Sequence, residues 1–596
     1  MLRFGRIGVF ASLVICAACG GSHTSASPNS AGTTSGGSAN GGSAGVSGAN
    51  SAAGDSGAVS TAIGVTASGV NVDPSAFGRA DLSKIAFTAF SQSGTNAQDP
   101  QVLSLVPDLV PRTWSQWDTY GVKASDYDFS YPSACQAKGI TFVGGLTASV
   151  IFQDEMSESD FADEVGRDAA NNPVPHNEIV PNAFRGALAS PGFRQRLIDV
   201  AELQIDGGVD GLFFDEVNSS FIGANYAGDE GFDDHHVADF GRFLCIRHGG
   251  ELANFDLTSA DQLDCSANDP GAGFDYRGYL ARIGATAAPL SAANPLQVAW
   301  GTTIQNRTDP SAGTFVATYP AYVYFQQIVA TVRNYARQKY NKEILVTANG
   351  IFPFVDFQSV GLYDYNHEGP GPKGFDWVPL TTDGHFAGTG TFASALENLK
   401  AQSKSVQAAV SGAEVPLLLF LDWPTDSINR YYALPQSERV DYVRAFLAET
   451  SALGMWFAVP LATTTDTQTA SALGMMDSFQ ALRAFYVAHG DLFRGAQELP
   501  DTTVQSSLPT AGTRLVALPD ARFALYVINH DYTAGFVPHT GVTVSFPSPQ
   551  MPFSVTLASP DLAADMTPSY SIRNGILSVT IEELTSSAVI VAEYVK

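Results

Sequence analysis

Short apolar segments recur along this chain with amphipathic stretches between them, a pattern that predicts alternating strands and helices. The strand-like segments are 84–90, 109–114, 139–146, 209–215, 344–349, 360–364, 416–422 and 455–461. The helix-like segments are 193–205, 237–247, 322–339, 393–410, 437–449 and 478–489. This alternation is typical of a parallel α/β sheet, and eight strands predict a (β/α)8 TIM barrel over residues 80–497. A doubly wound open sheet is the competing architecture. The second strand is the least regular because Pro111 interrupts it.

After residue 499 the pattern changes to short strands without helices between them. These strands are 522–529, 542–546, 554–558, 576–581 and 589–595, and Asn574-Gly575 is a hairpin-turn signal. The pattern predicts a small C-terminal antiparallel β-sandwich over residues 505–596.

The N-terminal end has the pattern of an export signal followed by a tether. Residues 1–19 carry Arg3 and Arg6 and then an apolar run, which is shorter than the roughly 20 residues of a membrane span. The run ends in Cys-Ala-Ala-Cys, which resembles a bacterial lipobox with Cys19 as the lipidated residue. Residues 20–75 are mostly Gly, Ser, Ala, Thr and Asn, typical of a flexible tether. We expect an exported, membrane-anchored lipoprotein that meets the membrane only through its lipid anchor. A secreted protein with an ordinary signal is the alternative.

The charge and the cysteines narrow the classes of function. The formal net charge is −27, which argues against a nucleic-acid partner because phosphate binding requires clustered Lys and Arg. Cys245 and Cys265 are a candidate disulfide pair across an insertion, which would leave Cys135 free.

Polar and aromatic side chains follow three of the predicted strands. The fourth strand ends in Asp215, Glu216 and Asn218, the sixth in Tyr363, Asp364 and then Glu368, and the seventh in Asp422 and Trp423. The carboxyl ends of barrel strands converge at one face, where such enzymes carry their active sites. We therefore expect these side chains to form one site.

Two carboxyl groups flanking one bond suit the cleavage of a glycosidic bond. Side chains alternate along a strand, so an inward Asp215 implies that Phe213 and Gly211 also face inward, and that Glu216 turns outward or leaves the strand. This favours Asp215 as the nucleophile and Glu216 as a neighbour or a ligand of a sugar hydroxyl. The alternative role for Asp215 is to cap the next loop or to pair with Arg185.

The acid is less clearly marked, and Glu368 is favoured over Asp364 and Asp422. Asn218, Asp364 and Asp422 are further candidate ligands of sugar hydroxyls. Aromatic residues near predicted strand ends offer faces for sugar stacking or for core packing: Trp114, Trp117, Tyr363, Tyr365, Trp377 and Trp423.

No cofactor is expected. Neither the Asp233-Asp234-His235-His236 run nor the acidic loop 229–234 is expected to hold a metal ion. No GxSxG or HExxH motif occurs in residues 80–596, which disfavours hydrolysis of another bond.

The segment 185–216, a helix leading into Gly-Val-Asp-Gly-Leu-Phe-Phe-Asp-Glu, resembles bacterial barrel glycoside hydrolases. The resemblance is to the α-amylases, the dextranase and cycloisomaltooligosaccharide glucanotransferase family, and the endo-α-1,4-polygalactosaminidases. It implies an Asp215 nucleophile, a Glu368 acid, retention, and an α-linked poly- or oligosaccharide substrate. Phe213 stands where α-amylases carry an arginine. The run Tyr526 to Tyr532 resembles the accessory sandwich of such hydrolases. The alternative function is a non-catalytic surface lipoprotein that captures glycans.

Overall fold

The computed structural model describes most of the chain between Asp73 and Val595. The described residues are 65–66, 69–70, 73–91, 93–111, 114–115, 123–168, 170–176, 182–217, 231–250, 252–284, 324–349, 354–364, 377–379, 396–397, 399–401, 403–404, 415–421, 436–462, 476–493, 497–499, 503–531, 536–548 and 550–595.

Eight parallel strands form a closed barrel. They are β1 Thr88–Ser91, β2 Leu109–Val110, β3 Thr141–Thr147, β4 Gly211–Asp215, β5 Leu345–Asn349, β6 Phe357–Asp364, β7 Leu417–Leu421 and β8 Trp456–Ala462. Each strand pairs in parallel with the next, and β8 pairs back onto β1. All eight strand predictions and the barrel itself are confirmed, and the doubly wound alternative is wrong. β2 is only two residues long and ends before Pro111, after which the two-residue strand Trp114–Ser115 pairs in parallel with Ser93–Gly94.

Helices connect the strands around the outside of the barrel. The described α-helices are α1 Pro100–Leu105, α2 Ser130–Gln136, α3 Glu158–Glu164, α4 Pro191–Asp206, α5 Asp234–His248, α6 Tyr276–Arg282, α7 Gln326–Tyr340, α8 Gln436–Ala452 and α9 Met476–Ala488. The predicted helix 393–410 lies largely outside the described residues. Within the described part of the chain, no helix has the length and apolar character needed to cross a membrane.

Side chains of the barrel strands alternate between two cores. One core lies inside the barrel and takes residues from all eight strands, Phe213 of β4 among them. The other lies between the strands and the helices, and it contains Leu212 and Phe214 of the same strand. Phe90, Phe213 and Phe420 form an aromatic layer inside the barrel, with Phe90 stacked on Phe420 at 4.4 Å between ring centroids. The barrel interior is therefore packed below its C-terminal mouth.

The Gly-Val-Asp-Gly motif before β4 has a structural role. Asp210 accepts hydrogen bonds from the backbone N–H of Phe142 at 3.0 Å and from Lys342 Nζ at 2.8 Å, which joins the starts of β3, β4 and β5. A Cβ at Gly211 would lie 2.9 Å from side-chain atoms of Val143 and Leu345, so the close spacing of the three strands requires glycine there.

The connection between β5 and β6 is short, and a buried ion pair holds it. Arg333 of α7 is fully buried and donates to the carbonyl oxygens of Ile344 and Phe354 and to Asp356 Oδ2, at 2.8, 3.3 and 2.9 Å. The segment 73–80 packs on the same helix, since Asp73 N–H donates to Gln326 Oε1 at 2.9 Å.

The C-terminal region is a two-sheet antiparallel sandwich, as the sequence predicts. Its strands are β9 Gln497–Glu498, β10 Gln505–Ser506, β11 Ala511–Leu518, β12 Arg522–Asn529, β13 His539–Pro547, β14 Ser554–Ala558, β15 Ser569–Arg573, β16 Ile576–Leu584 and β17 Ser587–Glu593. One sheet has the order β9-β11-β12-β17-β14 and the other β10-β13-β16-β15. Asn574 and Gly575 join β15 to β16 with φ of 52° and 75°, as a tight hairpin turn demands.

The sandwich packs on the barrel through an apolar interface. Ala448 and Ala452 of α8 lie against Tyr526 and Val591 of the first sheet in one buried cluster. At the edge of this contact, His530 Nε2 hydrogen-bonds to Glu449 Oε1.

Candidate active site

Asp215 ends β4 at the C-terminal mouth of the barrel. Phe213, two residues earlier, lies in the barrel core, so the alternation along the strand directs the Asp215 side chain inward above the aromatic layer. Asp215 is only 2% exposed. The inward orientation expected for Asp215 is therefore confirmed, and a buried carboxylate at this place is typical of a functional site.

Neighbouring strand ends hold Asp215 in place. Asn349, the last residue of β5, donates from Nδ2 to Asp215 Oδ1 at 3.2 Å. On the other side, Thr147 of β3 is the register partner of Asp215, and the N–H of Ala148 donates to the Asp215 carbonyl at 2.7 Å. The carboxylate is thus held from β5, and the backbone of Asp215 is held from the end of β3.

Glu216 leaves the strand and turns into a buried polar cluster. Its Oε2 accepts a hydrogen bond from Ser149 Oγ and lies 2.7 Å from His176 Nε2 and 3.5 Å from Arg185 Nη1. Burial raises the pKa of the Glu216 carboxyl, but His176, Arg185 and Ser149 outweigh that effect and hold its pKa below the ordinary value of 4.5. Glu216 is therefore ionised at neutral pH and is unsuited to the role of general acid.

Other predicted site residues lie partly or wholly outside the described part of the molecule. The backbone of Tyr363 and Asp364 ends β6, where Asp364 pairs with Trp377 of the short antiparallel strand Trp377–Pro379. This pairing brings two predicted site segments together beside the barrel mouth. The remaining candidates lie outside the described residues: Cys19, Trp117, Asn218, Tyr365, Glu368, Asp422 and Trp423.

The side chain of Trp114 is not exposed at the mouth. Its side chain is fully buried in the core between strands and helices, where its ring packs against Tyr127 at 4.9 Å and Phe142 at 5.0 Å between centroids. No face of the indole is open to a sugar, so the expected stacking role is wrong and core packing explains the residue. Trp114 begins the two-residue strand Trp114–Ser115, which pairs in parallel with Ser93–Gly94 beyond β1, but its indole turns into the core between strands and helices.

The acidic and histidine run at 233–236 starts a helix. Asp233 caps α5, with its Oδ1 accepting from the N–H of His236 at 3.0 Å and its Oδ2 lying 2.6 Å from His236 Nδ1. His235 and Asp234 face other partners, Asp163 and Arg277. Among the described residues, no cluster of three or more His, Cys, Asp or Glu side chains has a metal-binding arrangement.

The candidate disulfide is present. Cys245 of α5 is bonded to Cys265, with 5.2 Å between their Cα atoms. Cys135 is a free, fully buried cysteine, and burial raises the pKa of its thiol to about 12. A thiol with such a pKa is a poor nucleophile at neutral pH.

Sequence reasoning missed Ser149, His176 and Asn349. Asn349 ends a predicted strand, the same signal that singled out Asp215, so it was within reach of the sequence. Ser149 and His176 lie in the insertion between β3 and α4, and their contacts with Glu216 span 67 and 40 residues of sequence. No local pattern marks such contacts.

Comparisons with known proteins give likenesses to solved structures only. No family model matches the chain, and no curated protein matches it. Solved structures similar to it include the noncanonic maltogenic α-amylase AmyB from Thermotoga neapolitana (TM-score 0.42, 9% identity, covering 85% of this chain and 99% of that one). A second is a cycloisomaltooligosaccharide glucanotransferase from Paenibacillus sp., with a TM-score of 0.41 and 11% identity, covering 86% of this chain and 85% of that one. A third is the trehalose-6-phosphate hydrolase TreA from Bacillus licheniformis, with a TM-score of 0.42 and 9% identity, covering 86% of this chain and 100% of that one. Similarity of this degree carries no inference about activity, and this chain's own strand pairing defines the barrel.

Proposed function

We propose that the protein is a glycoside hydrolase in which Asp215 is the nucleophile. The observation that carries the proposal is the buried Asp215 carboxylate, directed inward at the barrel mouth and held by Asn349 at 3.2 Å. In the first step an Asp215 oxygen bonds to the anomeric carbon, the bond to the leaving oxygen breaks, and an acid protonates that oxygen. Water then cleaves the glycosyl–Asp215 ester, with the former acid acting as base.

The role of acid falls to a residue other than Glu216, whose pKa is lowered. Glu368 is our candidate, with Asp364 and Asp422 as alternatives, as in the sequence analysis. An α-linked poly- or oligosaccharide is the proposed substrate, and this assignment rests on the resemblance of the segment 185–216 to α-acting barrel hydrolases.

Asp215→Asn tests the enzyme assignment directly. The full-length protein is incubated with a panel of α- and β-linked glycans, and released reducing sugar is measured for wild type, Asp215→Asn and Asp154→Asn. Asp154 is an exposed carboxylate on the insertion after β3 and serves as the matched control. We expect turnover of at least one glycan by wild type and the control, and none by Asp215→Asn. Glycan binding without turnover by wild type would instead support a glycan-capture protein.

The same proposal places the protein outside the cytoplasm as a lipoprotein. It is supported by the signal-like residues 1–19, by the tether, and by the Cys245–Cys265 disulfide, since disulfides persist in oxidising compartments. Cys19→Ser in the native host should move the protein from the membrane fraction to the soluble fraction. Unchanged fractionation would contradict the lipid anchor and leave the secreted alternative or another attachment.

A further inference from the structure

Glu216 adopts a backbone conformation that is costly for its residue type. Its φ is +53°, in the left-handed region, which costs a residue with a Cβ about 1–2 kcal/mol. This turn immediately follows Asp215 and directs the Glu216 side chain away from the line of β4. Strain of this kind persists only where surrounding contacts over-determine it, so the contacts of the Glu216 carboxylate are informative.

Three side chains converge on one oxygen of that carboxylate. Ser149 Oγ, His176 Nε2 and Arg185 Nη1 all contact Glu216 Oε2. Ser149 Oγ also lies 3.1 Å from His176 Nε2, so these two side chains contact each other as well. All four residues are buried, and Ser149 is 0% exposed. Hydrogen bonds to an ionised group in such surroundings are strong.

All three residues come from a single segment, the insertion 148–190 that follows β3. Its short strands Val150–Phe152 and Ala183–Arg185 form an antiparallel pair, and the Gly186 N–H donates to the Ser149 carbonyl at 2.8 Å. The insertion also holds the backbone of Asp215 through the 2.7 Å bond from Ala148 N–H. The insertion therefore contacts two consecutive residues, Asp215 through its backbone and Glu216 through its side chain.

We propose that Glu216 is a positioning residue: the insertion clamps its carboxylate and thereby fixes Asp215 at the barrel mouth. This inference rests on the proposed function. The clamp also compensates charge, because the Arg185 guanidinium lies 3.5 Å from Glu216 Oε2 and offsets a second anion beside the nucleophile. An uncompensated neighbouring carboxylate would oppose the ionisation of Asp215.

The charged and titratable groups around Glu216 allow a pH test. Asp215 precedes it on β4, His176 and Arg185 face it from the insertion, and β5 contributes the neutral Asn349 to Asp215. Arg185→Met removes the fixed cation while burial of Glu216 remains, so the pKa of Glu216 rises. We expect the acidic limb of the kcat profile of Arg185→Met to move to higher pH. Arg185→Lys keeps the cation and should restore the wild-type limb.

The test measures kcat and KM separately, on a glycan that wild type hydrolyses, for full-length Glu216→Gln, Arg185→Met, Arg185→Lys and Asp154→Asn. Gln retains an acceptor for Ser149 but loses the charge. We expect kcat of Glu216→Gln to fall between about tenfold and a hundredfold with KM nearly unchanged, because a misplacement of 1 Å costs about a hundredfold. Asp154→Asn should match wild type.

Several outcomes would overturn the positioning role. A raised KM at constant kcat in Glu216→Gln would mean that Glu216 binds the sugar directly. Wild-type kinetics and an unshifted pH profile in folded Glu216→Gln and Arg185→Met would mean that the clamp is only structural. If either variant does not fold, Ser149→Ala, which removes one uncharged hydrogen-bond donor, takes its place. A lowered kcat in Ser149→Ala supports the positioning role, and an unchanged kcat contradicts it. If Asp215→Asn still turns over the glycan, both the proposed function and this inference are refuted. If turnover is lost in Asp215→Asn but is unchanged in the Glu216 and Arg185 variants, only this inference is refuted.

Discussion

Arg333→Met should destabilise the barrel strongly. The guanidinium of Arg333 is fully buried under the β5–β6 connection and is the cation paired with Asp356 at 2.9 Å. Methionine fills much of the same volume but donates no hydrogen bond. The change would leave the Asp356 carboxylate in a buried place without its cation, and the carbonyl oxygens of Ile344 and Phe354 without the donor that now reaches them.

The expected cost follows from that uncompensated charge. Removing one partner of a buried ion pair typically costs about 3–5 kcal/mol. Asp356 Oδ2 also accepts from the Val346 N–H at 2.6 Å, which lessens the penalty slightly, so we expect about 3–4 kcal/mol. Asp356→Asn removes the charge that needs a cation. The double variant should therefore cost less than the sum of the two single variants.

Urea denaturation followed by fluorescence measures these free energies of unfolding. Arg337→Met is the matched control on the same helix, since Arg337 pairs with the partly exposed Glu343 at 2.9 Å, and it should cost only about 1–2 kcal/mol. Equal losses in Arg333→Met and Arg337→Met, or strict additivity with Asp356→Asn, would refute the view that the buried pair locks this connection.

Three further predictions concern the barrel, the disulfide and the acid response. Phe213→Ala should lower the free energy of unfolding by about 3–5 kcal/mol, and a loss under about 1 kcal/mol in urea denaturation would contradict a packed barrel interior. Cys245→Ser should destabilise the loop that the Cys245–Cys265 disulfide closes by about 3 kcal/mol, which would appear as faster proteolysis between these two residues. An unchanged proteolysis rate would count against the disulfide. Because the pKa of Glu216 is lowered in the folded state, its contribution is present above pH 4.5 and is lost as pH falls further. Glu216→Gln should therefore lose less stability than wild type on acidification, and parallel curves would show that Glu216 is not the group responsible.

The barrel could be predicted from the sequence because each strand carries its own local signal. A buried parallel strand is a short apolar run, and the eight runs from residue 84 to residue 461 match the eight observed strands within a few residues. The inward orientation of Asp215 followed from the alternation of side chains. Five of the nine sandwich strands were predictable for the same reason, whereas β9, β10, β11 and β15 were missed. β11 begins with half-buried residues, and β15 has no fully buried residue.

The rest of the site depends on contacts between segments distant in sequence. In the sequence Glu216 has the features of a sugar ligand, whereas in the structure Ser149, His176 and Arg185 of the insertion contact one of its oxygens. Trp114 had the features of a stacking residue because it lies at a predicted strand end, but its indole turns into the core between strands and helices. Such arrangements depend on tertiary packing, which the local pattern does not encode.

The most direct measurement of the central claim is a search for the glycosyl–enzyme intermediate. Wild type and Asp215→Asn are mixed with a hydrolysed glycan, quenched in acid within the turnover time, digested and examined by mass spectrometry. A retaining mechanism with Asp215 as nucleophile predicts a glycosyl adduct on the peptide that contains Asp215, absent from the variant. Turnover without an adduct there, or an adduct on another carboxylate, would contradict the account.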